Sequence, residues 1–99
     1  MKKTDAQILK ERAKQYGPAP LMWRAIGNIH FVMENYLLEI CSLQGEGPTP
    51  EQIGHLAALK QTVVKMVRSI HCPEHEDNYI DGRNYLTIAH ECVKNEVRP

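Results

Sequence analysis

The run from Leu21 to Leu43 constrains this chain most. Its apolar residues recur with a 3.6-residue period: Leu21, Ala25, Ile29, Val32, Tyr36, Ile40 and Leu43, widened by Met22, Met33 and Leu37. Such a run makes a long helix with that stripe turned inward. A second, thinner stripe lies on the opposite side, Trp23, Phe31, Leu38 and Cys41, interrupted by Gly27 and Glu34. A helix buried on one face has no use for it. The second stripe is therefore read as an oligomer seam or a cover for another helix, ahead of a ligand cleft.

Three more helices follow from caps and breakers. Thr4-Asp5-Ala6-Gln7 has the form of a capping box, which starts a short, polar first helix at Asp5. Tyr16-Gly17-Pro18 ends it, and Pro20 stands where the long second helix can begin. Gln44-Gly45-Glu46-Gly47-Pro48 is a loop by composition. Thr49-Pro50-Glu51-Gln52 is a second capping box, opening a third helix that runs to about His71, where Cys72-Pro73 stops it. Its expected inward stripe is Ile53, Leu56, Ala57, Val63, Val64, Val67 and Ile70. Asp77 is placed to cap a fourth helix carrying Tyr85, Ile88, Ala89, Cys92 and Val93 inward, and Asn95 to Pro99 are expected to fray. No strand-like alternation, repeat or low-complexity tract is present. The expectation is an all-α single domain over residues 1–99. It has a short N-terminal helix plus a bundle of three longer ones, the last two forming an antiparallel hairpin because only about five residues join them.

Composition narrows the function classes. Twelve basic and twelve acidic residues give a formal charge of zero, which argues against a broad grip on nucleic acid or an anionic membrane. Cys41, Cys72 and Cys92 are odd in number and have no repeated spacing, as expected of free thiols in a reducing compartment. The polar N-terminus carries no secretion signal, and no stretch approaches the ~20 apolar residues of a membrane span. A soluble, cytoplasmic protein is expected. At 99 residues it would gain from packing against copies of itself.

The chemistry-bearing residues cluster around His71 to Tyr85. In an antiparallel hairpin, Lys65 and Arg68 near the end of the third helix come beside Asp77 and Asp81 at the start of the fourth. One reading is a salt-bridge network that fixes the hairpin. The other is a polar pocket in which the cations hold phosphate while the carboxylates hold a ribose or a metal. The N-terminus of the fourth helix adds partial positive charge there. His75 and Tyr85 flank this cluster, and Tyr16, Trp23 and Tyr85 are aromatic groups available for stacking. Cys72-x-x-His75 lacks the second pair that a closed zinc site needs.

Glu11-Arg12, Tyr16-Gly17, Trp23, Thr49-Pro50-Glu51, Lys65-x-x-Arg68 and Pro73-x-His75-x-Asp77-x-x-x-Asp81-x-x-x-Tyr85 resemble an uncharacterised family of small helical proteins from bacteriophages and prophages. The likeness spans roughly Leu9 to Cys92. Members of that family carry a small residue and Gly before the final Tyr, where this chain has Arg83-Asn84. More distantly, the hairpin is similar to that of the MazG-like nucleotide pyrophosphohydrolases, which hold magnesium on paired acidic motifs. Here Glu34 and Glu39 are five apart and Asp77 and Asp81 four apart, so no clean copy of those motifs is present.

Three functions are expected from residues and resemblance together. The first is a homo-oligomer binding a phosphate-bearing nucleotide, either to sequester a host signalling nucleotide as a counter-defence or to serve nucleotide metabolism. The second is a magnesium-dependent nucleotide pyrophosphohydrolase using Asp77 and Asp81. The third is an inhibitor docking on a host protein through the Trp23, Phe31 and Leu38 face.

Overall fold

A computed structural model of the chain describes residues 2–16 and 19–94, with the side chains of Ala13, Gln15 and Tyr16 outside the description. The expected stop at Gly17-Pro18 and the expected fraying of Asn95 to Pro99 fall outside the described residues. Four helices run in order: α1 Asp5–Tyr16, α2 Ala19–Gln44, α3 Pro50–His71 and α4 Glu76–Lys94, with no strand among the described residues. The all-α architecture is therefore as expected. α3 and α4 share by far the largest contact, α2 lies along α3, and α1 touches α2 and α3 more lightly. No helix is long and apolar enough to cross a membrane among the described residues.

The caps behave as their residues require. Thr4 Oγ1 accepts from the Gln7 N–H at 3.2 Å while the Thr4 N–H donates to Gln7 Oε1 at 2.8 Å. Thr49 and Gln52 repeat the reciprocal pair at 3.1 and 2.9 Å. Each box satisfies two N–H groups near a helix start. α2 ends at Gly45, whose φ of 75° is the left-handed conformation that glycine adopts without a Cβ clash. The Gly45 N–H donates to Ser42 O and the Glu46 N–H to Cys41 O, both at 3.1 Å, the bond pattern of a Schellman stop.

α4 begins one residue before the expected cap. Glu76 is its first residue, so Asp77 sits inside the first turn. A carboxylate there still favours the helix through its dipole. Four residues rather than five join α3 to α4, and the Tyr79 hydroxyl donates to Pro73 O at 2.6 Å across that turn.

The hairpin seam is made of small residues. Ala58 and Thr62 on α3 and Asn78, Gly82 and Ala89 on α4 are buried. A Cβ placed on Gly82 would lie 3.7 Å from Lys65 Cβ, and one on Gly54 would lie 3.7 Å from Cys92 Sγ. Both are ordinary contact distances, so the two backbones run close without overlap. The expected inward stripes need correction. Ile53, Ala57 and Ile70 on α3 and Ile88 on α4 are exposed, because the helices meet over their small residues rather than their large aliphatic ones.

α2 needs a larger correction. The face turned to α3 carries Met22, Ile26, His30, Met33, Leu37 and Cys41, with Ile26 only 1% exposed. Met22, Met33 and Leu37 come from the widened edge of the expected stripe, and the face is rotated by about 100°, one residue's turn, from that stripe's main line. Val32, Tyr36 and Leu43, expected inside, are 66%, 65% and 90% exposed. Cys41, assigned to the outer stripe, is buried, while Trp23, Phe31 and Leu38 are exposed as expected of that stripe. Polar pairs fix the rotation. His30 Nε2 donates to Lys60 O at 2.9 Å, Glu34 pairs with the Lys60 ammonium, and Cys41 Sγ lies 3.7 Å from Gln52 Oε1. Two apolar flanks thus border one packed ridge.

Two outcomes test this packing. Gly82→Ala should fold normally and gain roughly 0.5–1 kcal/mol, since the seam admits a Cβ and alanine favours a helix interior. Gly82→Leu should lose about 1–3 kcal/mol by forcing the backbones apart; urea denaturation reads both. The hydrogen bond from Lys60, aided by its charge, holds the Glu34 carboxyl below the usual carboxylate range. A carboxyl lowered by folding contributes stability that is present above the unfolded value of about 4.3 and lost as pH falls through the lower folded value. Acid titration of thermal stability below pH ~4.3 should therefore fall more steeply in the wild type than in Glu34→Gln.

Candidate functional site

The close seam sorts the polar residues of the hairpin onto two edges. On α4, Asp81 and Arg83 are about 200° apart at about 100° per residue, so they face opposite edges. Lys65 stands at the seam itself, its Cβ beside Gly82 and its side chain mostly covered.

The first edge is the one expected from sequence. Lys65 Nζ lies 3.2 Å from Asp81 Oδ2, which confirms that these two come together. Arg68 is half-buried, with Nε shielded from solvent. His75 Nε2 and Asp77 Oδ2 stand 4.0 Å apart, with Asp77 largely exposed. Tyr85 is half-buried on α4. Trp23 is on α2, outside the hairpin, and half-exposed. Tyr16 ends α1, and its side chain lies outside the described residues.

A magnesium ion fits this edge poorly. It wants several oxygen ligands converging on an octahedron. Asp81 is engaged by Lys65, and Asp77 faces solvent. Among the described residues, no group of three or more His, Cys, Asp or Glu is placed to hold a metal ion. Cys72 is no better suited to nucleophilic work. Loss of hydration pushes its thiol up, and its Sγ contact of 3.4 Å with the Glu74 carboxylate adds to that. A raised thiol supplies less of the thiolate that attacks.

The second edge holds a cleft of about 180 Å³ that the sequence did not announce. Lys65, Ser69, Asn78 and Arg83 give it polar groups, and Met66, Tyr79 and Leu86 give it an apolar wall. Ser69 Oγ donates to Met66 O at 2.6 Å and Thr62 Oγ1 to Ala58 O at 3.1 Å, so both hydroxyls keep acceptor capacity. Asn78 is 4% exposed, and its Nδ2 has no acceptor among the described residues. A buried amide donor left in that state costs about 1–3 kcal/mol. The cost sits beside the Arg83 guanidinium-bearing edge of a concavity, which makes an anionic or carbonyl acceptor the group that would relieve it.

Two signals pointed to this edge. Asn78, Gly82 and Ala89 follow each other at i, i+4 and i+11, one face of a helix, so an asparagine was destined for the seam. Arg83 drew notice only as a departure from the resembled family's pattern, yet it lines the cleft.

Residues 1–93 match the model of a protein family described as a domain of unknown function (DUF6378). No curated protein and no solved structure is significantly similar to the chain.

The Lys65–Asp81 pair is part-exposed, so Asp81→Asn should cost no more than about 1 kcal/mol, the scale of a surface ion pair. A loss of several kcal/mol by chemical denaturation would mean that the mostly covered Lys65 ammonium, left without its partner, outweighs the solvent screening at Asp81.

Proposed function

Because the chain belongs to the DUF6378 family, whose description assigns no activity, the functional reading must come from the site, and we propose that the protein binds a phosphate-bearing nucleotide without turning it over, working as a homo-oligomer. The observation that carries this is the buried Asn78 amide, whose Nδ2 lacks an acceptor among the described residues, at a cleft lined by Arg83, Ser69 and the stem of Lys65. A phosphate oxygen accepts from an amide and from a serine hydroxyl, and takes two parallel bonds from arginine. The Met66, Tyr79 and Leu86 wall suits the less polar remainder of the same molecule. The cleft is smaller than the ~300 Å³ of ordinary ligand pockets, so it would hold the phosphate end while the base extends outward.

In the setting that the resemblance implies, a phage-type protein in the host cytoplasm, such binding would sequester a host signalling nucleotide or serve nucleotide metabolism. The pyrophosphohydrolase alternative draws little support from a donor set in which one of two carboxylates is held by a lysine. Docking on a host protein draws support from the exposed Trp23, Phe31 and Leu38.

Asn78→Leu is the informative variant. It removes the unsatisfied donor and substitutes a better helix former, so stability should hold or rise by up to about 1–3 kcal/mol. Binding should weaken at least tenfold. Calorimetry against mono-, di- and cyclic nucleotides, run beside urea denaturation on both proteins, reads the two effects. Failure of the wild type to bind any of these nucleotides would sink the proposal.

A further inference from the structure

The single chain exposes more surface than its size warrants. Its accessible area is 7552 Å², against about 5,700 Å² for a monomer of 11.3 kDa by the usual size scaling. Its radius of gyration is 16.6 Å, where a compact chain of about 100 residues has about 13 Å. Large apolar side chains contribute to what is exposed. Exposed Ile29, Val32 and Tyr36 on one flank of α2, with exposed Met66 and Ile70 and half-buried Val63 on the neighbouring flank of α3, form an apolar band. Two shallow grooves between α2 and α3 lie on this band, one beside Ile29 and Ile70, the other beside Tyr36 and Leu56.

We infer that this band is where a second copy of the chain packs, two-fold related, flank against flank. Two observations select that occupant. The excess is about 1,800 Å² per chain; if each copy buried only half of it, the pair would cover about 1,800 Å² in all, within the range of specific, stable interfaces. Neither the α2 stripe from Leu21 to Leu43 nor the three α3 residues named carries a charge, and the chain's formal charge is zero, so two copies meet without repulsion.

A self-complementary apolar patch closes on itself under two-fold symmetry, leaving no open end for further growth. The choice of flank is specific. It is the side expected to form the core of a single chain, not the Trp23, Phe31 and Leu38 side expected to form the seam. The inference deepens the homo-oligomer part of the proposed function and stands apart from its ligand. It also bears on the cleft, because Met66 and Ser69 border both the cleft and the groove beside Ile29. A second copy on the band therefore lies next to the mouth through which a nucleotide base would extend.

Sedimentation velocity at micromolar concentration, in buffer free of phosphate and nucleotide, tests the assembly without touching the ligand reading. The wild type should sediment at twice the chain mass. Val32→Glu with Tyr36→Glu should raise the dissociation constant more than tenfold, with far-UV circular dichroism showing the helices retained. Phe31→Glu with Leu38→Glu should leave it unchanged. A monomeric wild type overturns the inference, as does a dimer broken by the second pair but not by the first. Should the first pair unfold the chain, Met66 in the wild type decides. Its oxidation by dilute peroxide should be slowed at high protein concentration and recover on dilution; equal rates at both concentrations overturn the proposal. Loss of nucleotide binding with the dimer intact would instead count against the ligand reading alone.

Discussion

Close approach of α3 and α4 over small residues is the constraint from which the rest follows. Gly82 against Lys65 Cβ, and Gly54 against Cys92, let the two backbones run side by side. That proximity drives Asn78 out of solvent and holds the Lys65 stem in the seam while its ammonium reaches Asp81. It also sorts the polar side chains to two edges, since nothing bulky can sit between the helices. A side chain as large as leucine at position 82 would part the helices, readmit water to the Asn78 amide and dissolve the cleft. Site and fold are in this sense one piece of packing.

Element boundaries were legible in the sequence because they are written in local chemistry. Two capping boxes, a glycine free to take a positive φ and a Cys-Pro stop each act within a turn of where they stand. The direction each helix faces was less legible. A small-residue seam does not register as an apolar stripe, so Ile53, Ile70 and Ile88 drew attention that belonged to Ala58, Thr62 and Gly82. On α2 the difficulty was the reverse. Apolar residues occupy more than half of its circumference, so periodicity admits several inward faces. What chose among them was polar and long-range: His30 on the Lys60 carbonyl and Glu34 on its ammonium.

The candidate site divides the same way. Lys65 and Asp81 could be paired from sequence, since helical spacing and a short connection bring them level. The cleft could not, because its decisive group is a buried amide whose partners depend on how closely two helices approach. Arg83 illustrates the point. Read as a sequence feature it breaks a family pattern, while in the fold it is the cation that lines a concavity. The helical turn that sends Asp81 to one edge sends Arg83 to the other, so the arginine lies clear of that carboxylate.

The misjudged face of α2 carries a further physical lesson. Among the described residues the buried apolar set is Ile26, Cys41, Ala58, Val64 and Ala89, a small core in which Ile26 alone is both large and almost fully covered. Conformational entropy must be offset by burial somewhere, and a core of this size offsets little of it. The stripe from Leu21 to Leu43 looked like core because, by composition, it is core. Periodicity reports that a face will be dry, not which molecule dries it. If the second copy supplies that burial, folding and association become one equilibrium, with a poorly stable lone chain and thermal stability that rises with protein concentration. A chain built this way can afford a thin seam between α3 and α4, and with it a buried amide whose Nδ2 has no acceptor among the described residues.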